Sequence, residues 1–143
     1  MEKHLYNVGL TWKEGRIGEM NSPELSSKIE VATPPEFDKG VAGIWSPEHL
    51  YTASVLSCFM TTFLAISEYS KLEFSSFDCG AVGTLEKVDG KFLMTEITLT
   101  PTLVINDETK IDRALRILEK SEAACLISNS IKTVVKLDPT VSA

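Results

Sequence analysis

Ser46-Pro47-Glu48-His49-Leu50-Tyr51-Thr52-Ala53-Ser54-Val55-Leu56-Ser57-Cys58-Phe59 opens the longest helix that the sequence predicts. Ser46 suits the N-cap, Pro47 the first helical position, and Glu48 the positive end of the helix dipole. The helix is expected to run to about Ser70. Its Leu50, Val55, Leu56, Phe59, Met60, Phe63 and Leu64 point in nearly every direction, the pattern of a helix surrounded by protein. Leu50 to Ile66 is about as long as a short membrane span, but Thr52, Ser54, Ser57, Thr61 and Thr62 interrupt it, and His49 and Glu68 flank it. A buried core helix is therefore expected, and no membrane partner.

Upstream, residues 4–12 place Tyr6, Val8, Leu10 and Trp12 on one side and Leu5, Asn7, Gly9 and Thr11 on the other, the period of a strand covering a core. A turn at Lys13-Glu14-Gly15-Arg16 and two short strands, 17–20 and 25–32, complete an antiparallel meander. Thr33-Pro34-Pro35 ends it. The aromatic-bearing, Gly-containing loop up to Trp45 is longer than a connector needs to be. Downstream, 73–88 and 91–105 are β-rich and meet at Asp89-Gly90, a hairpin signal. Asp107 can cap a second helix on which Ile111, Ala114, Leu115 and Leu118 recur at helical spacing. A short helix after Cys125 and a strand over 132–137 follow. This order gives an α+β fold, with antiparallel sheets packed around a buried central helix, as one domain over 1–143.

With 143 residues, 43% hydrophobic, the chain can bury a real core. The net charge is −6 and the 14 Lys and Arg are scattered, which leaves no basic stripe for nucleic acid. The N-terminus lacks the apolar stretch and cleavage site of a secretory signal, so a cytoplasmic location is expected. In that reducing compartment the three cysteines are catalytic, metal-binding or simply buried rather than structurally bridged. Zinc is disfavoured, because His4 and His49 are isolated from each other and from the cysteines.

Cys79 lies mid-strand and reads as an inert buried thiol. Cys58 sits about three turns into the helix, on a polar strip with Ser54 and Thr61; spacing alone favours an ordinary core cysteine. Cys125 precedes a helix start, where a thiolate would be stabilised. The pair forms no CxxC motif, so the two thiols act together only if the fold brings them together.

Thr33-Pro34-Pro35-Glu36-Phe37, the Ser46 to Phe59 segment and Cys125-Leu126-Ile127-Ser128-Asn129 together resemble the OsmC and organic hydroperoxide resistance family. Its members carry a TP loop, an S/N-P-E-x-L helix start with a catalytic cysteine ten residues after the Glu, and a second motif that is usually C-P-x-S. The resemblance spans almost the whole chain. It implies that Cys58 is the peroxidatic cysteine, Cys125 the resolving cysteine, Glu48 the acid of the helix start, and Arg16 the thiolate-stabilising arginine. Arg113 and Arg116 are expected on the exposed side of the second helix. Leu126 departs from the pattern, where the family usually has Pro.

The resemblance thus implies a cysteine-based peroxidase, without cofactor, that reduces organic hydroperoxides and, more weakly, hydrogen peroxide through a sulfenic acid and an intramolecular disulfide. Its partners would be the hydroperoxide and a small dithiol or protein thiol reductant. Phe37, Val41, Ile44 and Trp45 would favour organic substrates. Glu48 and Cys58 are roughly 15 Å apart along a straight helix, too far for one arginine to bond both. A second chain or a bent helix is required, and the family's members are typically intertwined homodimers. The alternative is a non-catalytic module of the same fold that binds an apolar small molecule.

Overall fold

The computed structural model describes residues 2–143 and divides the chain into two compact units, Met1–Leu50 and Tyr51–Ala143. The first holds the meander of β1 (Gly9–Glu14), β2 (Ile17–Ser22) and β3 (Leu25–Ala32), with β2 in the middle. Gly15, at φ 51°, makes the turn between β1 and β2. Strand pairing begins at Gly9↔Asn21 rather than at residue 4. Beyond Asn21, β2 runs into its turn, and side chains take over: Asn7 N–H meets the Glu24 carboxylate, and Ser22 Oγ donates to Asn7 O at 2.7 Å. The side expected to cover a core is open in the single chain, with Tyr6 85% and Trp12 72% exposed.

The loop after β3 is held by its own backbone. Val41 N–H bonds Thr33 O at 2.9 Å, and Ala32 N–H bonds Trp45 O at 2.8 Å. Gly40 is obligatory there, since a Cβ would lie 2.0 Å from Pro34 O. Ser46 Oγ accepts His49 N–H at 3.1 Å, the expected cap of α1 (Pro47–Tyr69).

The second unit contains most of α1, then β4 (Phe74–Val88), β5 (Lys91–Ile105), a 3-10 turn at Glu108–Lys110, α2 (Ile111–Ala124), α3 (Leu126–Asn129), β6 (Val134–Leu137) and β7 (Thr140–Ser142). Asp89 and Gly90, at φ 50° and 80°, form the hairpin between β4 and β5. Asp107 caps the 3-10 turn, which leads into α2, by accepting Thr109 N–H at 3.0 Å. The final strands β6 and β7 pair with β5 in parallel, at Leu99↔Leu137 and Leu103↔Val141. Pro101, which has no N–H to give a ladder, falls in the gap between them.

The core lies in this unit. Val55, Phe59 and Phe63 of α1 meet Ile97, Leu99 and Leu103 of β5 and Ala114 and Leu118 of α2, all fully buried. Phe63 stacks on Phe77 with ring centres 4.6 Å apart. The buried positions of α1 recur every four residues, at Val55, Phe59, Phe63 and Ser67, so one face enters the core. Full enclosure of α1 is not observed in the single chain: Met60 and Leu64, on its other side, are 39% and 41% exposed. By length and composition α1 could cross a membrane, but its apolar row is packed against the sheet.

Candidate active site

Cys58 and Cys125 meet within the second unit. Cys58 lies on α1, one turn after Ser54 and one turn before Thr62. Cys125 is brought to it by the break between α2 and α3. At φ −63° and ψ 115° the chain leaves the helical conformation at Cys125, whose N–H closes α2 on Glu122 O at 3.2 Å. Its carbonyl then accepts Asn129 N–H at 3.1 Å, which opens α3. Cys125 is fully buried and Cys58 half-buried; both are free thiols.

The two sulfurs have opposite electrostatics. Burial pushes the Cys58 thiol up, but its polar surroundings, the backbone at Ile127, the thiol of Cys125, the hydroxyl of Thr62 and the backbone at Leu126, outweigh it and hold its pKa below the ordinary thiol range. Thr62 Oγ1 stands 3.9 Å from Cys58 Sγ. Burial also pushes Cys125 up; the hydroxyl and N–H of Ser128 oppose this in part, while Cys58 adds to it. The two directions make Cys58 the readier of the pair to ionise.

Cys79 sits on β4 opposite Pro101, and burial drives its pKa to about 11, against a lowering backbone bond at Thr100. Arg16 and Glu48 belong to the first unit, Arg16 exposed beside Lys39 and Val41 in an open depression, and Glu48 half-buried in the first turn of α1. Arg116 is exposed on α2. Arg113 is half-buried and donates to Ser70 O just beyond the end of α1, so its role is structural. His49 Nδ1 meets Ser46 Oγ at 2.7 Å, and its ring meets Trp45 edge-on. Among the described residues no group of three or more His, Cys, Asp or Glu could hold a metal ion.

Thr62 was the site residue within reach of sequence reasoning, because it follows Cys58 by four residues and so lies beside it on a helix. The main-chain donors of Leu126 and Ile127 carry no side-chain signature, and only the fold places them. A model of the OsmC-like protein family matches residues 40–140, which takes in α1, both cysteines and the hairpin between them. The chain belongs to the OsmC-like family.

Similarity to individual proteins covers nearly the whole chain. The uncharacterized protein YmaD of Bacillus subtilis is 27% identical over 142 residues, with 96% of this chain and 93% of that protein covered. An OsmC-like protein of unknown function from Vibrio cholerae has the same fold at a TM-score of 0.86, with 24% identity over 96% of this chain and 99% of that one. An organic hydroperoxide resistance protein from Elizabethkingia anophelis superposes at a TM-score of 0.76, with 24% identity and 99% of each chain covered.

Proposed function

We propose that this OsmC-like protein is a thiol-dependent peroxidase that reduces organic hydroperoxides, with Cys58 as the attacking thiol and Cys125 as its resolving partner. What carries the reading is the pairing of two neighbouring thiols of unlike character, Cys58 lowered and Cys125 raised. An attacking sulfur must be a thiolate, and a resolving sulfur should stay protonated until its turn comes.

In the first step Cys58 thiolate attacks one oxygen of the hydroperoxide. The S–O bond forms, the O–O bond breaks, and the leaving alkoxide takes a proton to become an alcohol. Cys58 is now a sulfenic acid. Cys125 attacks that sulfur, water leaves, and a Cys58–Cys125 disulfide remains. Two electrons from a small dithiol or protein thiol reductant restore both thiols, with no cofactor. Each thiol acts on the other's ionisation in the reduced chain, which is consistent with a pair close enough to bridge.

Arg16 and Glu48 are proposed to complete the site, the guanidinium as a permanent charge for the thiolate and leaving oxygen, and the carboxylate as its orienting partner. The active unit is proposed to be a homodimer in which each chain acts as one domain. The exposed Leu10 and Trp12 of β1 and the open Met60 and Leu64 of α1 are apolar surface of the kind that association covers. The apolar loop residues Ile44 and Trp45 favour alkyl or aryl hydroperoxides over hydrogen peroxide, and the location is proposed to be cytoplasmic.

The test is peroxide consumption, with cumene hydroperoxide and hydrogen peroxide each supplied with a monothiol and with a dithiol. Faster turnover of cumene hydroperoxide with the dithiol is expected. No turnover of either peroxide would favour a module that only binds an apolar molecule.

A further inference from the structure

α1 carries several hydroxyl side chains, and most of them bond back to their own helix. Ser54 donates to Tyr51 O at 2.7 Å, Ser57 to Ser54 O at 3.2 Å, Thr61 to Cys58 O at 3.1 Å and Ser67 to Phe63 O at 2.6 Å. A return to the carbonyl three or four residues back is an ordinary state of Ser and Thr inside a helix. Thr62 departs from it. Its hydroxyl meets a side chain, Cys58 Sγ, at 3.9 Å, while the carbonyl four residues back, that of Cys58, takes the hydroxyl of Thr61. Two successive threonines thus serve one cysteine differently, Thr61 at its main chain and Thr62 at its sulfur. Thr62 is half-buried, as Cys58 is, so water competes for this sulfur only in part.

We propose that the Thr62 hydroxyl is a catalytic group that donates to the Cys58 thiolate as the thiol ionises. The inference rests on Cys58 being the attacking thiol and deepens that reading. While Cys58 is a thiol, either group can give its proton to the other. Once Cys58 has lost its proton, the sulfur can only accept, so the hydroxyl must donate, and a bond to an ionised acceptor is about twice as strong as a neutral one. The contact therefore favours the thiolate over the thiol, in agreement with the lowered pKa of Cys58, to which Thr62 contributes. Cys79 has the opposite arrangement. Its Sγ donates to Gly80 O at 3.4 Å, and a carbonyl has no proton to offer a thiolate.

Alkylation of Cys58 across pH in Thr62→Val, Thr62→Ser and Thr61→Val tests this. Valine keeps the β-branched shape without the hydroxyl, and serine keeps the hydroxyl. Thr62→Val should alkylate about threefold or more slowly than wild type on the acid side of its profile, and reach the same alkaline plateau, where Cys58 is fully ionised in both. Thr62→Ser should restore the wild-type profile, and Thr61→Val should leave it in place. A Thr62→Val profile that superimposes on wild type would overturn the proposal, as would an equal displacement in Thr62→Ser or in Thr61→Val. A second readout needs no change at position 62: in the wild-type chain the Thr62 Cβ resonance should shift with the Cys58 titration and lose that shift in Cys58→Ser. A Thr62 resonance indifferent to Cys58 ionisation would overturn the proposal as well. Neither measurement uses a peroxide, so a failure of the peroxidase reading would be seen separately, as absent turnover in a chain whose Cys58 profile still depends on Thr62.

Discussion

Cys58 and Cys125 act on each other's ionisation, and burial and hydrogen-bonding surroundings drive the two thiols in opposite directions. Burial acts on both. Only Cys58 gathers enough donors to overcome it, while Cys125 is raised further by the charge its neighbour takes on. Two neighbouring thiols of one chain thus differ in how readily they ionise.

The alkylation order of the cysteines follows from this. Thiolate is the deprotonated form, so each rate rises as pH climbs through that thiol's pKa. Cys58, lowered, should label first near neutral pH, and Cys79, at about 11, should stay unlabelled in the folded chain until strongly alkaline pH. Iodoacetamide labelling followed by peptide mass spectrometry reads the order; Cys79 labelling ahead of Cys58 would contradict it.

Arg16→Ala should slow Cys58 alkylation near neutral pH and depress peroxide turnover if its guanidinium serves the thiolate. An unaltered pH profile would leave the thiolate to Ile127, Cys125, Thr62 and Leu126 alone.

Elements fixed by local chemistry were legible in the sequence. Ser46 and Pro47 mark the start of α1, and Asp89-Gly90 marks the hairpin, because capping and positive φ depend on a few adjacent residues. Parallel pairing of β6 and β7 with β5 was not legible, since it is set by the path of α2 and α3 rather than by strand composition. The alternation over residues 4–12 reports which side chains share a face, and it extends beyond the last rung that β2 offers. At the site, Cys58 and Cys125 could be selected through their motifs. Their contact depends on the break at Cys125, whose extended backbone no single residue type announces.

Phe63→Ala should cost about 3–5 kcal/mol of stability, because Phe63 is fully buried and stacked on Phe77, and little around it can collapse into the space. Urea denaturation measures it, and a loss below about 1 kcal/mol would mean that this core is not the one that holds the unit together.

Association should be evident at micromolar concentration. Sedimentation is expected to give a dimer, and Trp12→Glu, which puts charge on the open face of β1, should shift it towards monomer and lower turnover. A fully active wild-type monomer would refute the shared assembly and leave Glu48 as an acid that only favours the helix start.

Disulfide mapping after a single turnover tests the central claim most directly. Reduced protein treated with one equivalent of cumene hydroperoxide, without reductant, should lose two hydrogens and yield one peptide pair joined through Cys58 and Cys125, with Cys79 still free. A bridge that includes Cys79, or a protein that remains fully reduced while the hydroperoxide persists, would contradict it.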